Sequence, residues 1–349
     1  MDYIVSFPGL GIHELHIQRE AVQVFGLSIY WYGIVIALGV LLGMYLALRH
    51  SRRYGFCQDD VLDCLIAAIP LAVICARIYY VIFSWDQYRN NLWSIFDTRS
   101  GGMAFYGGVI GAILGVCLVS RIKGISSLRC MDYLIVYIPL GQAIGRWGNF
   151  FNQEAFGTNT SLPWGMYSNG TRRYLASLNQ PGLNPDLPVH PTFLYEFLGN
   201  LLIFAILLLI RRRQERRGVC LAWYLVLYGL LRFFVESIRT DALYIGHSRV
   251  PVSMLLSALM VLLGLAYLGL LWFQAIYRPE RYAQAVKAYE EEGQELELRR
   301  LRREVGDSGA EQEREVQREA AQVQQERESQ QEAQAQEESG QTEGQDEPR

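Results

Sequence analysis

The chain has 349 residues, 51% of them hydrophobic, and a formal net charge of −3 at pH 7. That total conceals two unlike parts: from residue 278 onward 11 basic residues stand against 20 acidic ones, so the tail carries −9 and the body +6. Apolar runs recur to about residue 277 and nearly vanish after it. This pattern argues against one soluble globular domain, makes the overall charge a poor guide to partners, and gives no reason to expect nucleic acid among them.

The opening stretch MDYIVSFPGLGIHELHIQRE has neither a basic leader nor a small-residue cleavage site before its first apolar run. No removable signal peptide is expected. A bilayer's hydrocarbon core takes about 20 mostly apolar residues per helix, and spans are predicted near 26–48, 61–84, 103–120, 131–151, 191–210, 219–236 and 251–275. The predicted fold is therefore all-α, a polytopic integral membrane protein with seven transmembrane helices. It divides into a membrane domain over 1–277 and an acidic, polar tail over 278–349, either a solvated helix or disordered.

Basic clusters follow spans one (Arg49, Arg52, Arg53), three (Arg121, Lys123, Arg129), five (Arg211, Arg212, Arg213, Arg216, Arg217) and seven (Arg278, Arg281). All fall on one side, which the positive-inside rule makes cytoplasmic. The N-terminus and the 152–190 connection then lie outside and the C-terminus inside. That connection is rich in Gly, Asn, Pro and Ser, so loops with room for short strands are expected.

The six cysteines show no paired spacing and read as buried apolar thiols rather than as a disulfide or metal set. The histidines His13, His16, His50, His190 and His247 are scattered apart from the first two, so no metal site is expected.

Ionisable residues inside a span are costly and mark function. Arg77, Asp132, Arg146, Glu196, Arg232 and Glu236 lie in the predicted spans, with Glu154, His190 and Arg239 just beyond them. At about 1.5 Å of rise per residue, Arg77, Arg146 and Arg232 reach the outer half of their helices, while Tyr32, Tyr106 and Glu196 lie within roughly 10 Å of the outer surface. Arg232, Glu236 and Arg239 share one helical face, and Glu236 can pair with either arginine. Two readings stand. Either these groups form a self-satisfied ladder between helices, or, with Arg146 added, the arginines exceed their carboxylates and hold an anion such as phosphate.

The block GGMAFYGGVIGAILG places Gly107, Gly111 and Gly115 four residues apart, a pattern of close helix packing. Gly101, Gly102, Gly107 and Gly108 around Tyr106 suggest instead backbone approached by a ligand or a neighbouring chain.

The segment GRWGNFFNQEAFG, Gly145 to Gly157, resembles the signature of prolipoprotein diacylglyceryl transferases at every fixed position. WYG (Trp31 to Gly33), GGMAFYGG, HPTFLYE (His190 to Glu196) and RFFVESIR (Arg232 to Arg239) match the same family in order along the body. The tail has no counterpart in that signature. The resemblance implies a bacterial inner-membrane enzyme with its site toward the extracytoplasmic side. Its donor would be phosphatidylglycerol and its acceptor the lipobox cysteine in the signal peptide of a prolipoprotein. A thioether forms, glycerol phosphate leaves, and no cofactor is implied.

Such a displacement needs an anion grip and a means of ionising a thiol. Arg146 and Arg239 are the first candidates for the phosphate and its developing charge. Asn149 and Asn152 are candidates for the glycerol headgroup, or else cap the helix end. Glu154 orients arginines or binds headgroup hydroxyls. Tyr32 is a second pocket hydroxyl or an interfacial anchor. Gly157, Arg77, His190, Glu196, Arg232 and Glu236 complete the expected substrate-binding set. Many relatives carry histidine where this chain has Tyr106. An ordinary tyrosine, with a pKa near 10, is a weaker acid than a thiol near 8.5 and a poor base at neutral pH. Either an arginine lowers its pKa, or the arginine field and bound phosphate ionise the thiol while Tyr106 donates a hydrogen bond; the second is favoured. An anion transporter and a non-catalytic lipid scaffold are the rivals. No internal repeat supports the transporter, and the polar groups gather in one layer instead of lining a path across the membrane.

Overall fold

Each long apolar run folds as a helix because, in lipid, backbone N–H and C=O groups must pair within their own segment. The computed structural model describes residues 2–97, 101–178, 180–241, 250–305 and 320. His247 and most of the tail beyond Val305 lie outside the described residues. The chain begins with two antiparallel hairpins that the sequence did not announce. β1 (Asp2–Phe7) pairs with β2 (Ile12–Gln18), and β3 (Glu20–Val24) with β4 (Leu27–Tyr30). The first span accordingly starts at Trp31, not at residue 26.

The helices follow as α1 (Trp31–His50), α2 (Gln58–Phe83), the single turn α3 (Trp85–Tyr88), α4 (Phe105–Ile122), α5 (Ser127–Ile135) and α6 (Ile138–Asn152). After β5 (Tyr167–Ser168) come α7 (Asn169–Leu178), α8 (Thr192–Arg212), α9 (Val219–Ile238), α10 (Val252–Tyr277) and α11 (Pro279–Val305). The molecule is a helical, polytopic membrane protein. Six helices, α1, α2, α4, α8, α9 and α10, are long and apolar enough to cross a membrane. α10 is the clearest case: its mean hydropathy is 2.4, yet only 17% of its core window is buried, so most of its leucines are left for lipid, Leu271 being the buried exception.

Seven unbroken spans were expected, and the fourth differs. Residues 131–151 divide into α5 and α6, joined through Val136 and Tyr137. Pro139 explains the break, since it has no N–H for the carbonyl of Ile135 and its ring crowds that carbonyl. Neither piece meets the length and hydropathy of a span alone.

α2 and α4 pack at backbone distance. A methyl added to Gly111 would lie 2.2 Å from the Leu71 carbonyl oxygen, and one on Gly107 2.4 Å from that of Cys75. The whole glycine row therefore serves helix packing, and of the two expectations for Gly107, a ligand or a neighbouring chain, it is the neighbouring α2 backbone that comes close.

At the far end from β1, α5, α11 and the start of α2 share a core of Phe56, Val61, Tyr133 and Leu296. α11 is helical, but not solvated all round: Leu296 is buried, and Arg303 pairs with Asp60 of α2 at 2.7 Å. All six cysteines are free thiols.

Candidate functional site

Three helix ends meet at the face where β1 and β5 lie. α6 arrives carrying Arg146, α8 departs carrying Glu196, and α9 arrives carrying Arg232 and Glu236. Their side chains alternate in sign. Arg146 Nη2 lies 2.6 Å from Glu196 Oε2, and Arg232 Nη1 lies 3.1 Å from Glu196 Oε1. Arg232 Nη2 then meets Glu236 Oε2 at 2.6 Å, with Arg239 Nε 3.9 Å from the same oxygen. Glu196 and Glu236 are buried at 1% and 4% exposure, so their charges are tenable only through these arginines.

Two of the close contacts, at Glu196 Oε2 and Glu236 Oε2, reach ion-pair distance without hydrogen-bond alignment. They hold charge but leave the arginine N–H vectors turned elsewhere.

The expected surplus of arginines is corrected by Asp241. Its carboxylate takes Arg239 with two bonds, Nε to Oδ1 at 2.8 Å and Nη2 to Oδ2 at 2.7 Å. Arg146, Arg232 and Arg239 are thus matched by Glu196, Glu236 and Asp241. The sequence signal was available, an aspartate two residues past Arg239, but it lies outside the predicted span and was passed over.

A second polar chain joins the first. α6 ends with Gln153 and Ala155 at positive φ, 52° and 57°, a double turn that brings Glu154 back over the helix end. Asn149 Nδ2 and Asn152 Nδ2 both donate to Glu154 Oε1, at 3.0 and 3.2 Å. Arg146 Nη1 donates to Asn149 Oδ1 at 3.4 Å, and Arg19 Nε to Asn152 Oδ1 at 3.1 Å. Arg19, in the link between the two hairpins, carried no signal in the sequence. Tyr32 lies beside this chain, its ring against Gly148, where an added methyl would come within 2.8 Å.

Tyr106, at the start of α4, is within the electrostatic reach of Arg232 and Glu236, and its ring centroid lies 6.5 Å from that of Tyr79. Its hydroxyl makes no hydrogen bond among the described residues.

Gly157 and His190 are near the ladder through backbone. Gly157 N donates to the His190 carbonyl at 2.9 Å, Thr158 N to the Ile238 carbonyl at 2.8 Å, and Gly157 bridges to Arg239. A methyl on Gly157 would sit 2.8 Å from His190 Cβ, so the glycine lets three strands of chain close behind Arg239. Trp164 Nε1 donates to Tyr195 Oη at 2.8 Å, and Tyr195 Oη shares a second hydrogen bond with His190 Nδ1 at 3.1 Å. Burial holds the His190 pKa below the ordinary histidine value.

Arg77 does not join the site. All its donors go to backbone carbonyls: Nε to Ile95, Nη1 to Gly101 and Gly102, and Nη2 to Ser94 and Asp97, at 2.7 to 3.0 Å. Its plane lies over Tyr88, 5.1 Å from the ring centroid. It clamps the connection before α4. Asp132 is likewise spent, accepting from Gln214 Nε2 at 2.7 Å, from Gly218 N and from Leu221 N at 2.9 Å, where it caps α9.

These features define a helical membrane protein with an arginine–carboxylate ladder built on two buried glutamates at one face and a hydrogen-bonded Asn–Glu cluster beside it. The chain belongs to the prolipoprotein diacylglyceryl transferase family, whose model matches residues 19–270. It is 44% identical over 247 residues to the phosphatidylglycerol–prolipoprotein diacylglyceryl transferase of Finegoldia magna, covering 70% of this chain and 92% of the relative. The protein of that name in Clostridioides difficile is 45% identical over 231 residues, 66% of this chain and 87% of the relative. That of Listeria monocytogenes is 41% identical over 288 residues, 80% of this chain and 99% of the relative.

Proposed function

We propose that this protein transfers the diacylglyceryl group of phosphatidylglycerol to the lipobox cysteine in a prolipoprotein's signal peptide. The observation that carries the reading is the convergence of Arg146, Arg232 and Arg239 from α6 and α9 at one membrane face of a chain in this family. The bacterial inner membrane is its place, with the ladder face extracytoplasmic and the basic-cluster face cytoplasmic. The α5–α6 pair completes a seventh crossing.

In this reading the cysteine thiolate attacks the glyceryl carbon that bears the phosphate. A C–S bond forms, the C–O bond breaks, and its electron pair leaves on glycerol phosphate. Arg146 and Arg239 take the phosphate; fixed, partly buried cations stabilise the charge that gathers on the leaving oxygen. Glu196 and Glu236 hold the guanidinium groups in place before substrate arrives. Asn149, Asn152 and Glu154 present amide and carboxylate groups to glycerol hydroxyls. The thiol loses its proton to solvent in the arginine field, and the Tyr106 hydroxyl donates a hydrogen bond.

The test is transfer of labelled diacylglyceryl from phosphatidylglycerol to a lipobox peptide by the purified protein. Labelled thioether should form, and should vanish with Arg146→Ala and with a Cys→Ser peptide. No product from folded, lipid-supplied protein rejects the reading.

A further inference from the structure

The membrane face opposite the ladder holds a second cationic site. Arg211, at the end of α8, is about 15 residues from Glu196 on the same helix, roughly 22 Å away along its axis. It is 7% exposed, donates one hydrogen bond, Nη1 to Tyr137 Oη at 2.9 Å, and leaves its buried Nε with no hydrogen-bond partner. No carboxylate pairs with it among the described residues. Its charge rests on ring faces instead, with Tyr54 at 4.1 Å and Tyr137 at 5.1 Å.

Arg211 lines a cavity of about 190 Å³. Arg52, Arg53 and Arg129 line the same space, against only Asp132 and Glu297. Asp132 is already committed to the first turn of α9. Arg129 is held by the Tyr289 carbonyl at 2.6 Å, lies over the Tyr289 ring at 4.1 Å and pairs with Glu292 at 3.5 Å, so it is fixed and its charge met before any ligand arrives. Arg211 is the buried cation left without a carboxylate among the described residues. A buried cation without a counter-charge is expensive, and a small anion is the cheapest remedy.

We propose that this cavity binds a phosphate-bearing anion, with Arg211 and Arg53 as its principal donors. The volume suits a phosphate group with a small substituent, and guanidinium groups match phosphate geometry. One wall comes from α11, through Tyr289, Gly293 and Glu297, a helix lying beyond the residues the family model matches. Gly293 allows that approach: a methyl there would fall 2.8 Å from Arg129 Nη2. The site is thus partly built by a segment outside the transferase body. The proposal stands apart from the transfer reaction, whose residues lie at the other face.

The chemistry fits a phospholipid headgroup and a soluble phosphate ester alike, and two arms separate them. In the first, sodium phosphate is titrated calorimetrically into the full chain in neutral detergent and phosphate-free buffer. In the second, native mass spectrometry counts the phosphatidylglycerol retained by the full chain released from nanodiscs of phosphatidylglycerol in phosphatidylcholine. Arg239→Gln is included throughout to subtract binding at the ladder. In at least one arm Arg211→Gln should weaken binding about tenfold or more, the scale of one lost charge-assisted hydrogen bond. An effect on phosphate alone assigns a soluble ester; an effect on retained lipid alone assigns a headgroup; an effect on both assigns the phosphate group whatever carries it. Unchanged binding in both arms overturns the proposal. Should Arg211→Gln fail to fold, Arg53→Glu at the exposed rim makes the same comparison, and unchanged binding there overturns it equally.

Discussion

Arg239 and Asp241 hold each other through two hydrogen bonds of 2.8 and 2.7 Å, the two-pronged geometry in which a guanidinium would also grip a phosphate. Asp241 and the donor lipid therefore compete for one cation. Asp241→Asn should free Arg239 and lower the KM for phosphatidylglycerol about three- to tenfold, on the order of 1 kcal/mol, with kcat little changed. Arg239→Gln should move KM the other way. Steady-state kinetics in mixed micelles decide it, and a higher KM in Asp241→Asn would reject the competition.

Glu196 is the keystone of the ladder because it alone touches arginines from two helices, Arg146 of α6 and Arg232 of α9. Neutralising it takes the shared carboxylate from two partly buried guanidinium groups, 19% and 18% exposed, of which Arg232 keeps Glu236, a change that costs about 1–3 kcal/mol. Glu196→Gln is expected to lower the unfolding temperature and abolish transfer together. A variant with wild-type thermal stability would show that the ladder is not what holds α6, α8 and α9 in register.

Much of this was legible in the sequence. Arg146, Glu196, Arg232 and Glu236 stand out because apolar helices rarely carry charge, and a rise of about 1.5 Å per residue placed them in one layer. Their pairing was not legible. Whether Glu236 serves Arg232 or Arg239 depends on side-chain rotamers, and the structure gives Arg232 the closer contact. Arg77 looked like its companions by depth, and only the placement of Ser94, Ile95, Asp97, Gly101 and Gly102 reveals that backbone carbonyls use all its donors. The hairpins before Trp31 were missed because their exposed strands bury little, as Val5 and Ile17 show by being the buried exceptions. The packed face of α11 rests on Leu296, too thin an apolar pattern to read as a stripe.

Arg77→Lys tests the clamp. Lysine has three donors in place of a five-donor fork, so several of the carbonyls of Ser94, Ile95, Asp97, Gly101 and Gly102 lose their partner at about 1–3 kcal/mol each where buried. Hydrogen exchange over residues 92–105 should accelerate and thermal stability should fall. The KM for phosphatidylglycerol should change less than twofold to threefold, a range smaller than 1 kcal/mol. A selective rise in KM with unchanged exchange would return Arg77 to the substrate-binding set.

His190 predicts an acid-sensitive fold. Burial lowers its pKa, so the folded protein favours the neutral ring, which lies 3.1 Å from the Tyr195 hydroxyl. For a histidine with a depressed folded pKa, no penalty exists above the unfolded value of about 6.5; it grows as pH falls below that value. His190→Gln should therefore lose less thermal stability than wild type between about pH 7.5 and about pH 5.5. Equal losses in both proteins would rule out His190 as the group responsible.

Tyr106 separates two ways of ionising the acceptor cysteine. As a proton acceptor its phenol would have to ionise before a thiol that is ordinarily the stronger acid by about 1.5 pH units. Among the described residues no side chain accepts its proton, which leaves the hydroxyl available as a donor. Tyr106→Phe should then keep substantial transfer, slower by about tenfold for one lost hydrogen bond, with an unaltered pH profile. The alkaline rise in rate would continue to report the thiol itself. Only a trace of activity, with phosphatidylglycerol binding intact, would instead make Tyr106 the base and require the arginine field to act on the phenol rather than on the thiol.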